Sequence, residues 1–291
     1  MITQMHRVLV AGATGYLGGY VAREFKSHGH YVRALVRNPS KLDPIKGTLD
    51  DIVRAEITEP ATLEGTCEGI DTVFSSVGIT KQKDGLAFRD VDYQGNLNLL
   101  EAAQKAGVKK FIYVSVFNGP NLLHLDIVRA HEDFVAELKS SGMNYAVIRP
   151  TGYFSDMGEF LKMAAKGRIY LFGRGHNRVN PIHGADLAEV CADVLEGERQ
   201  EADVGGPEVL AWREIAKLAF AALEKPAKIS FIPVWTARAA VAATRIFNRH
   251  QGELLAFFTE MGISEIVAPA AGTRTLAQYF EELARHSKTG A

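Results

Sequence analysis

The chain has 291 residues, 47% hydrophobic and 23% charged, with 33 Lys+Arg against 34 Asp+Glu and a net charge of −1. This composition excludes a disordered chain, and the balanced charge lacks the basic excess of a nucleic-acid-binding protein. Cys67 and Cys191 are the only cysteines; they are too few and too far apart for a disulfide framework or a metal site, and fit thiols in a reducing compartment.

The apolar run at residues 8–11 is too short for a secretory signal. No stretch reaches the ~18 apolar residues that span a bilayer. The most apolar region, 231–247, is broken by Arg238 and Arg245. A soluble, cytoplasmic protein without a membrane span is expected.

In chain order, residues 7–11 (RVLVA) read as a buried strand. Residues 15–27 follow as a helix with Leu17, Val21 and Phe25 on one face. Strands are predicted at 31–36, 51–55, 71–77, 110–115 and 144–148, and helices at 91–105 and 127–140. Strands alternating with helices of this length imply parallel βαβ units. Strands apolar throughout imply a sheet covered on both faces. The predicted fold class is α/β: a Rossmann-type, doubly wound parallel sheet, with ligand at the carboxyl ends of its strands.

Beyond Pro150 the alternation fades. Helices are predicted at 155–165, 185–195, 212–223 and 236–247, and a strand at 168–172. The expected organisation is a nucleotide-binding domain over 1–152 and a smaller, partly interleaved substrate region over 153–291.

The stretch AGATGYLGG carries Gly12, Gly15 and Gly18 between the first strand and the first helix. The first glycine permits a sharp turn, the second a close approach of backbone to pyrophosphate, and the third tight packing of helix on sheet. The helix start then offers N–H groups and a positive dipole end to an anion. The strand–turn–helix context makes the triplet informative. At the end of the second strand, Arg37 stands where an NAD site would carry an acid, followed by Asn38, Pro39, Ser40 and Lys41. A guanidinium grips a 2′-phosphate with paired hydrogen bonds, so NADP(H) is the expected cofactor, with Arg37 as the main contact and Lys41 beside it.

Several segments together carry a family resemblance: VLVAGATGYLGGYVAREF, LVRNPSKL, VDYQGNLNLLEAAQKAGVKKFIYVS, YAVIRPTGYF, PIHGADLAEVCADVL and VGGPEVLAWREIAKLA. The chain resembles the atypical short-chain dehydrogenase/reductases, in particular the NmrA-like, isoflavone-reductase-like and divinyl chlorophyllide 8-vinyl reductase branches. The resemblance implies that Gly12, Thr14, Gly15, Tyr16, Leu17 and Gly18 surround the pyrophosphate. It places Glu56 and Ile57 at the adenine, Ser75, Ser76 and Val77 along the ribose, and Ser115 and Pro150 near the nicotinamide.

The wider family uses a Ser or Thr after the fifth strand and a Tyr-x-x-x-Lys pair on the next helix. Here Phe117 takes the first position, Ile127 the tyrosine position and His131 the lysine position. Positions 127 and 131 share a helical face, so His131 is expected at the nicotinamide, binding ribose or donating a proton. Glu132 and Arg149 are read as structural partners, and His183 as a cap. Phe117, Ile127, Tyr153 and Phe154 are expected to wall a substrate pocket. The resulting expectation is an NADPH-dependent reductase of a small hydrophobic substrate: a conjugated alkene, an enone or a quinone. The alternative is an NmrA-like NADP(H) sensor with little or no turnover, acting through a protein partner.

Overall fold

The computed structural model describes residues 5–78 and 85–289. Strand β1 (Arg7–Ala11) leads through the glycine turn into α1 (Tyr16–Ser27), then β2 (Tyr31–Val36), β3 (Asp51–Arg54) and β4 (Thr72–Ser75). A π-helical segment, Arg89–Gly95, runs directly into α2 (Asn96–Lys105). Next come β5 (Lys110–Val114), α3 (Asp126–Ser140) and β6 (Asn144–Pro150). The remainder comprises α4 (Phe154–Ala165), β7 (Ile169–Phe172), β8 (Arg178–Val179), α5 (Gly184–Glu196), β9 (Glu201–Val204), β10 (Leu210–Ala211) and α6 (Trp212–Ala222). It closes with β11 (Ile229–Ile232), α7 (Val234–Phe247), α8 (Arg249–Ile263) and α9 (Leu276–Thr289).

The main sheet has seven strands in the order β3-β2-β1-β4-β5-β6-β9. The pairings from β3 through β6 are all parallel. This is the predicted doubly wound α/β sheet. Strand order reverses between β1 and β4, so a ligand crevice belongs at the carboxyl ends of those two strands. Phe25, Phe74, Phe111, Tyr113 and Phe134 are fully buried around the sheet. Their rings meet edge-on or tilted: Phe25 on Phe74, and Tyr113 and Phe111 on Phe134.

The chain forms two compact units, Met1–Arg149 with Leu187–Ala202, and Pro150–Asp186 with Asp203–Ala291. The division falls at 149/150, and the 187–202 segment returns to the first unit. Buried polar contacts explain the return. Lys110 Nζ, on β5, donates to the carbonyls of Val194 (2.5 Å) and Gly197 (2.7 Å) at the end of α5. Burial pulls this ammonium below the usual lysine pKa, so those carbonyls do the work water would otherwise do.

Two differences from the sequence reading have physical causes. The helix predicted from residue 91 begins as a π-turn, because the buried Asn96 amide donates to the carbonyls of Val91 (3.4 Å) and Asp92 (2.9 Å). A side chain competing for ladder carbonyls is a recognised origin of helix irregularity. Helices α8 and α9 lie outside the predicted elements although each opens on a capping residue: Asn248 Oδ1 accepts from Gln251 N at 3.0 Å, and Thr275 and Gln278 exchange side-chain and backbone bonds at 3.4 Å. α9 owes its place to Leu276, Phe280 and Ala284, buried at i, i+4 and i+8.

Candidate functional site

At the switch point the first unit holds a cleft of about 410 Å3. Its floor is the glycine turn. Gly12 has φ +90°, and a Cβ there would sit 2.8 Å from Ser76 Oγ at the end of β4. A Cβ on Gly18 would overlap the Gly12 carbonyl oxygen. Both positions therefore admit only glycine. Gly15 caps α1 with extended backbone and no side-chain hydrogen bond, and donates its own N–H to Gly12 O at 2.8 Å. The first turn of α1 thus has no side-chain cap and faces the cleft with its dipole.

Of the residues singled out in sequence, Gly12, Thr14, Gly15, Arg37, Lys41, Glu56, Ile57, Ser76 and Val77 line this cleft. The remaining cofactor residues do not. Tyr16 stacks edge-on against Tyr20 at 5.3 Å, and Leu17 and Gly18 are buried under α1. Ser75 is fully buried and donates to Asn96 Oδ1 at 2.6 Å. Ser115 donates to Glu132 Oε1 at 2.7 Å. Pro150 closes β6, at the edge of the second unit. Val36, Asn38 and Gly78 also line the cleft without having been singled out as ligand contacts.

The charge at the cleft's edge differs from the sequence reading in one respect. No acid ends β2, but Glu56, just past β3, comes to Arg37 from the neighbouring strand, Oε2 to Nε at 3.5 Å. β2 and β3 pair in parallel with Val36 opposite Arg54, which puts the residues beyond both strand ends side by side. Arg37 is more than half exposed and Glu56 less so. A pair of this length and exposure contributes little to stability.

His131 lies on α3, 9% exposed. Its Nδ1 meets the Tyr113 hydroxyl at 2.6 Å and its Nε2 meets Asp92 Oδ1 at 3.1 Å. Asp92 and Tyr113 are fully buried. The imidazole therefore sits behind the cleft wall: a Cβ added to Gly78 would come within 3.3 Å of it. Sequence reasoning missed Asp92 and Tyr113, because a π-turn and a strand deliver them to α3.

Beside it, Glu132 takes Arg149 in a two-pronged pair, at 3.2 and 3.1 Å, and Arg149 also donates to Glu201 at 2.7 Å. The structural reading of both residues matches this geometry. The four substrate-wall candidates do not line the cleft. In the first unit, Phe117 is half-buried and Ile127 is 3% exposed. In the second, Tyr153 precedes α4 in extended backbone. Phe154 is 2% exposed, with its ring 5.6 Å from His183 and 5.5 Å from Tyr279. His183 Nδ1 accepts from Ala185 N at 3.1 Å at the head of α5, as a cap does.

The family model for NAD(P)H-binding proteins matches residues 12–198, more than half the chain and including the whole cleft. The chain belongs to this family. It is 29% identical to the photosystem II assembly factor Ycf39 of Synechocystis over 95% of its own length and 85% of that protein. It is 27% identical to the chloroplastic divinyl chlorophyllide a 8-vinyl-reductase of Oryza sativa subsp. indica, over 97% of its length and 80% of that protein. Its fold matches that of the NADPH-dependent quinone oxidoreductase QOR2 of Escherichia coli, solved with NADPH. The TM-score is 0.74 at 19% identity, covering 95% of this chain and 99% of that one. Among the described residues no helix is long and apolar enough to cross a membrane. Relatives with chloroplastic names leave the expected cytoplasmic location without support.

The residues present fit a dinucleotide. Glycine backbone and the α1 N-terminus suit the pyrophosphate, Arg37 and Lys41 a 2′-phosphate, and Ile57 and Val36 the flat apolar adenine.

Proposed function

We propose that the protein is an NADPH-dependent reductase acting on a hydrophobic, electron-poor double bond: a conjugated alkene, an enone or a quinone. The observation that carries this reading is the cleft, where a glycine turn for pyrophosphate lies beside Arg37 and Lys41. When bound, the nicotinamide supplies hydride. The chain's own part is binding and positioning. Backbone N–H groups at the start of α1 hold the pyrophosphate. Arg37 exchanges the Glu56 carboxylate for the 2′-phosphate.

At the position of the usual tyrosine acid stands Ile127. Ile127 cannot donate a proton, and both nitrogens of His131 are engaged by Tyr113 and Asp92. A conjugated acceptor suits this arrangement, because its anion after hydride addition is delocalised and takes its proton from water. His131 acts as a positioning residue that buttresses Gly78 and the cleft wall.

The same engagement of His131 supports a second reading, a nucleotide-binding sensor without turnover that acts through a protein partner. Oxidation of NADPH against a panel of quinones and enones tests both. Turnover of at least one acceptor, with NADPH far better than NADH, is the expected result. Tight NADPH binding with no oxidation across the panel would select the sensor.

A further inference from the structure

Helix α7 turns its apolar side toward water. Its buried residues, Ala237 and Val241, lie one turn apart on one face. At about 100° per residue, Trp235, Ala239, Ala242 and Ile246 fall within about 60° of one another on the opposite face. All four are exposed, Trp235 at 73% and Ile246 at 81%. Phe247, at the end of the helix, is 88% exposed. Exposed large apolar residues grouped on one face mark an interaction surface.

The charged residues that α7 itself carries, Arg238 and Arg245, have one sign. Residues 225–252 contain Lys225, Lys228, Arg238, Arg245 and Arg249 and not one Asp or Glu. Arg238 and Arg245 border the apolar stripe along one side. Glu253, just beyond the run, anchors Arg245 at 2.9 Å, and Arg238 adds a positive charge beside the stripe.

We infer that this face of α7 docks on an anionic lipid surface, with the helix lying in the plane of the interface. A tryptophan and an isoleucine at the two ends of a small-residue stripe, bordered along one side by arginines and followed by the exposed Phe247, suit the headgroup boundary. At about 1.5 Å per residue, 14 residues reach about 21 Å, too short to span the ~30 Å hydrocarbon core. A second copy of the chain is disfavoured, since apposing two such faces would set Arg238 of one copy near the arginines of the other. A specific acidic protein is disfavoured too, since the middle of the stripe is Ala239 and Ala242, which give a partner's side chains little to grip.

The two tryptophans make the test direct. Trp235 is exposed and Trp212 is 8% exposed. The full-length protein is mixed with phosphatidylcholine vesicles, or with vesicles in which phosphatidylglycerol replaces a third of the lipid. Emission and co-flotation are then followed. The expected result is a blue shift and co-flotation with the phosphatidylglycerol vesicles alone, both reversed by high salt. The shift persists in Trp212→Phe and vanishes in Trp235→Phe. Arg238→Gln lowers vesicle affinity about fivefold, the share of one basic residue near an anionic surface. Phe247→Ser lowers it further, and circular dichroism stays unchanged because each of these side chains is exposed. Three results would overturn the inference: no co-flotation, equal binding to neutral vesicles, or a concentration-dependent dimer that buries Trp235 without lipid.

Discussion

Around Gly12 the first unit leaves its backbone open, and around Asn180 the second unit closes its backbone with side chains. At the glycine turn no side chain caps α1, and the cleft is bounded by main chain, Arg37 and Glu56. In the second unit the fully buried Asn180 amide donates to the carbonyls of Gly206 (3.1 Å) and Ala268 (2.9 Å), and accepts from Ala268 N at 3.1 Å. Asp186, 1% exposed, accepts from the N–H groups of Thr273 and Arg274 and pairs with the Arg274 guanidinium. At the glycine turn the backbone donors of the α1 start are left without a side-chain cap, whereas around Asn180 and Asp186 the loop amides and carbonyls are taken by side chains. Buried polar groups of the second kind are costly to disturb, because removal of one partner leaves the others unpaired.

The comparison breaks most visibly at Asp186. Asp186→Ala should lower stability by about 2 kcal/mol, the scale for stranding two part-buried amides and a half-exposed guanidinium. Chemical denaturation followed by circular dichroism measures it. A loss below about 1 kcal/mol would mean that the loops of the second unit hold without the clamp.

The next effect concerns the open cleft. Arg37→Ala should weaken NADPH by about 1–3 kcal/mol and leave NADH nearly unchanged, because only the 2′-phosphate needs the guanidinium. Glu56→Gln should move NADPH affinity the other way by less than about 1 kcal/mol, the ceiling for an exposed pair. Fluorescence titration of both cofactors distinguishes these. Equal affinities in the parent protein would remove Arg37 from the 2′-phosphate.

His131 sharpens the distinction between holding and reacting. As a positioning residue, His131→Gln should lower the maximal rate less than about tenfold, against the 10²–10⁴ of a lost general acid. It should also leave the pH profile of the rate unchanged in shape. Loss of a limb of that profile, with a large fall in rate, would make His131 the proton donor.

The smallest effect belongs to a surface cluster at the opposite end of β2. His28 meets Glu196 at 2.9 Å and Glu24 at 3.2 Å, and His30 meets Glu196 at 3.3 Å. The bond to Glu196 holds His28 above the ordinary 6.5, and the bond to His28 holds Glu196 below the ordinary 4.5. A raised histidine contributes stability that is complete below 6.5 and fades as pH rises through its folded value. A lowered carboxylate contributes stability that is complete above 4.5 and fades as pH falls through its folded value. The pair should therefore support the fold most between these pH values. The difference in melting temperature between parent and His28→Ala should be largest there and shrink on both sides. A difference independent of pH would mean that the contact acts by packing alone.

Much of the first unit was legible in sequence because its signals are local. A strand, a glycine turn and an amphipathic helix lie within residues 7–27, and period and spacing suffice to read them. The same holds for Arg37 and Lys41, placed by counting from the end of β2. The second unit was less legible. Its two-stranded pairs β10–β8 and β11–β7 join residues far apart in sequence, Leu210 with Val179 and Ile229 with Ile169, and its loops are held by Asn180 with Ala268 and Asp186 with Arg274.

By itself, the sequence determined the parallel α/β sheet and the place of the glycine turn, since each depends on residue type at short range. Tertiary structure alone decided what surrounds those residues. Parallel pairing of β2 with β3 brought Glu56 to Arg37. The π-turn and β5 carried Asp92 and Tyr113 to opposite nitrogens of His131. The packing of α7 left Trp235, Ile246 and Phe247 facing solvent. Each depends on which elements meet, and local spacing carries no record of that.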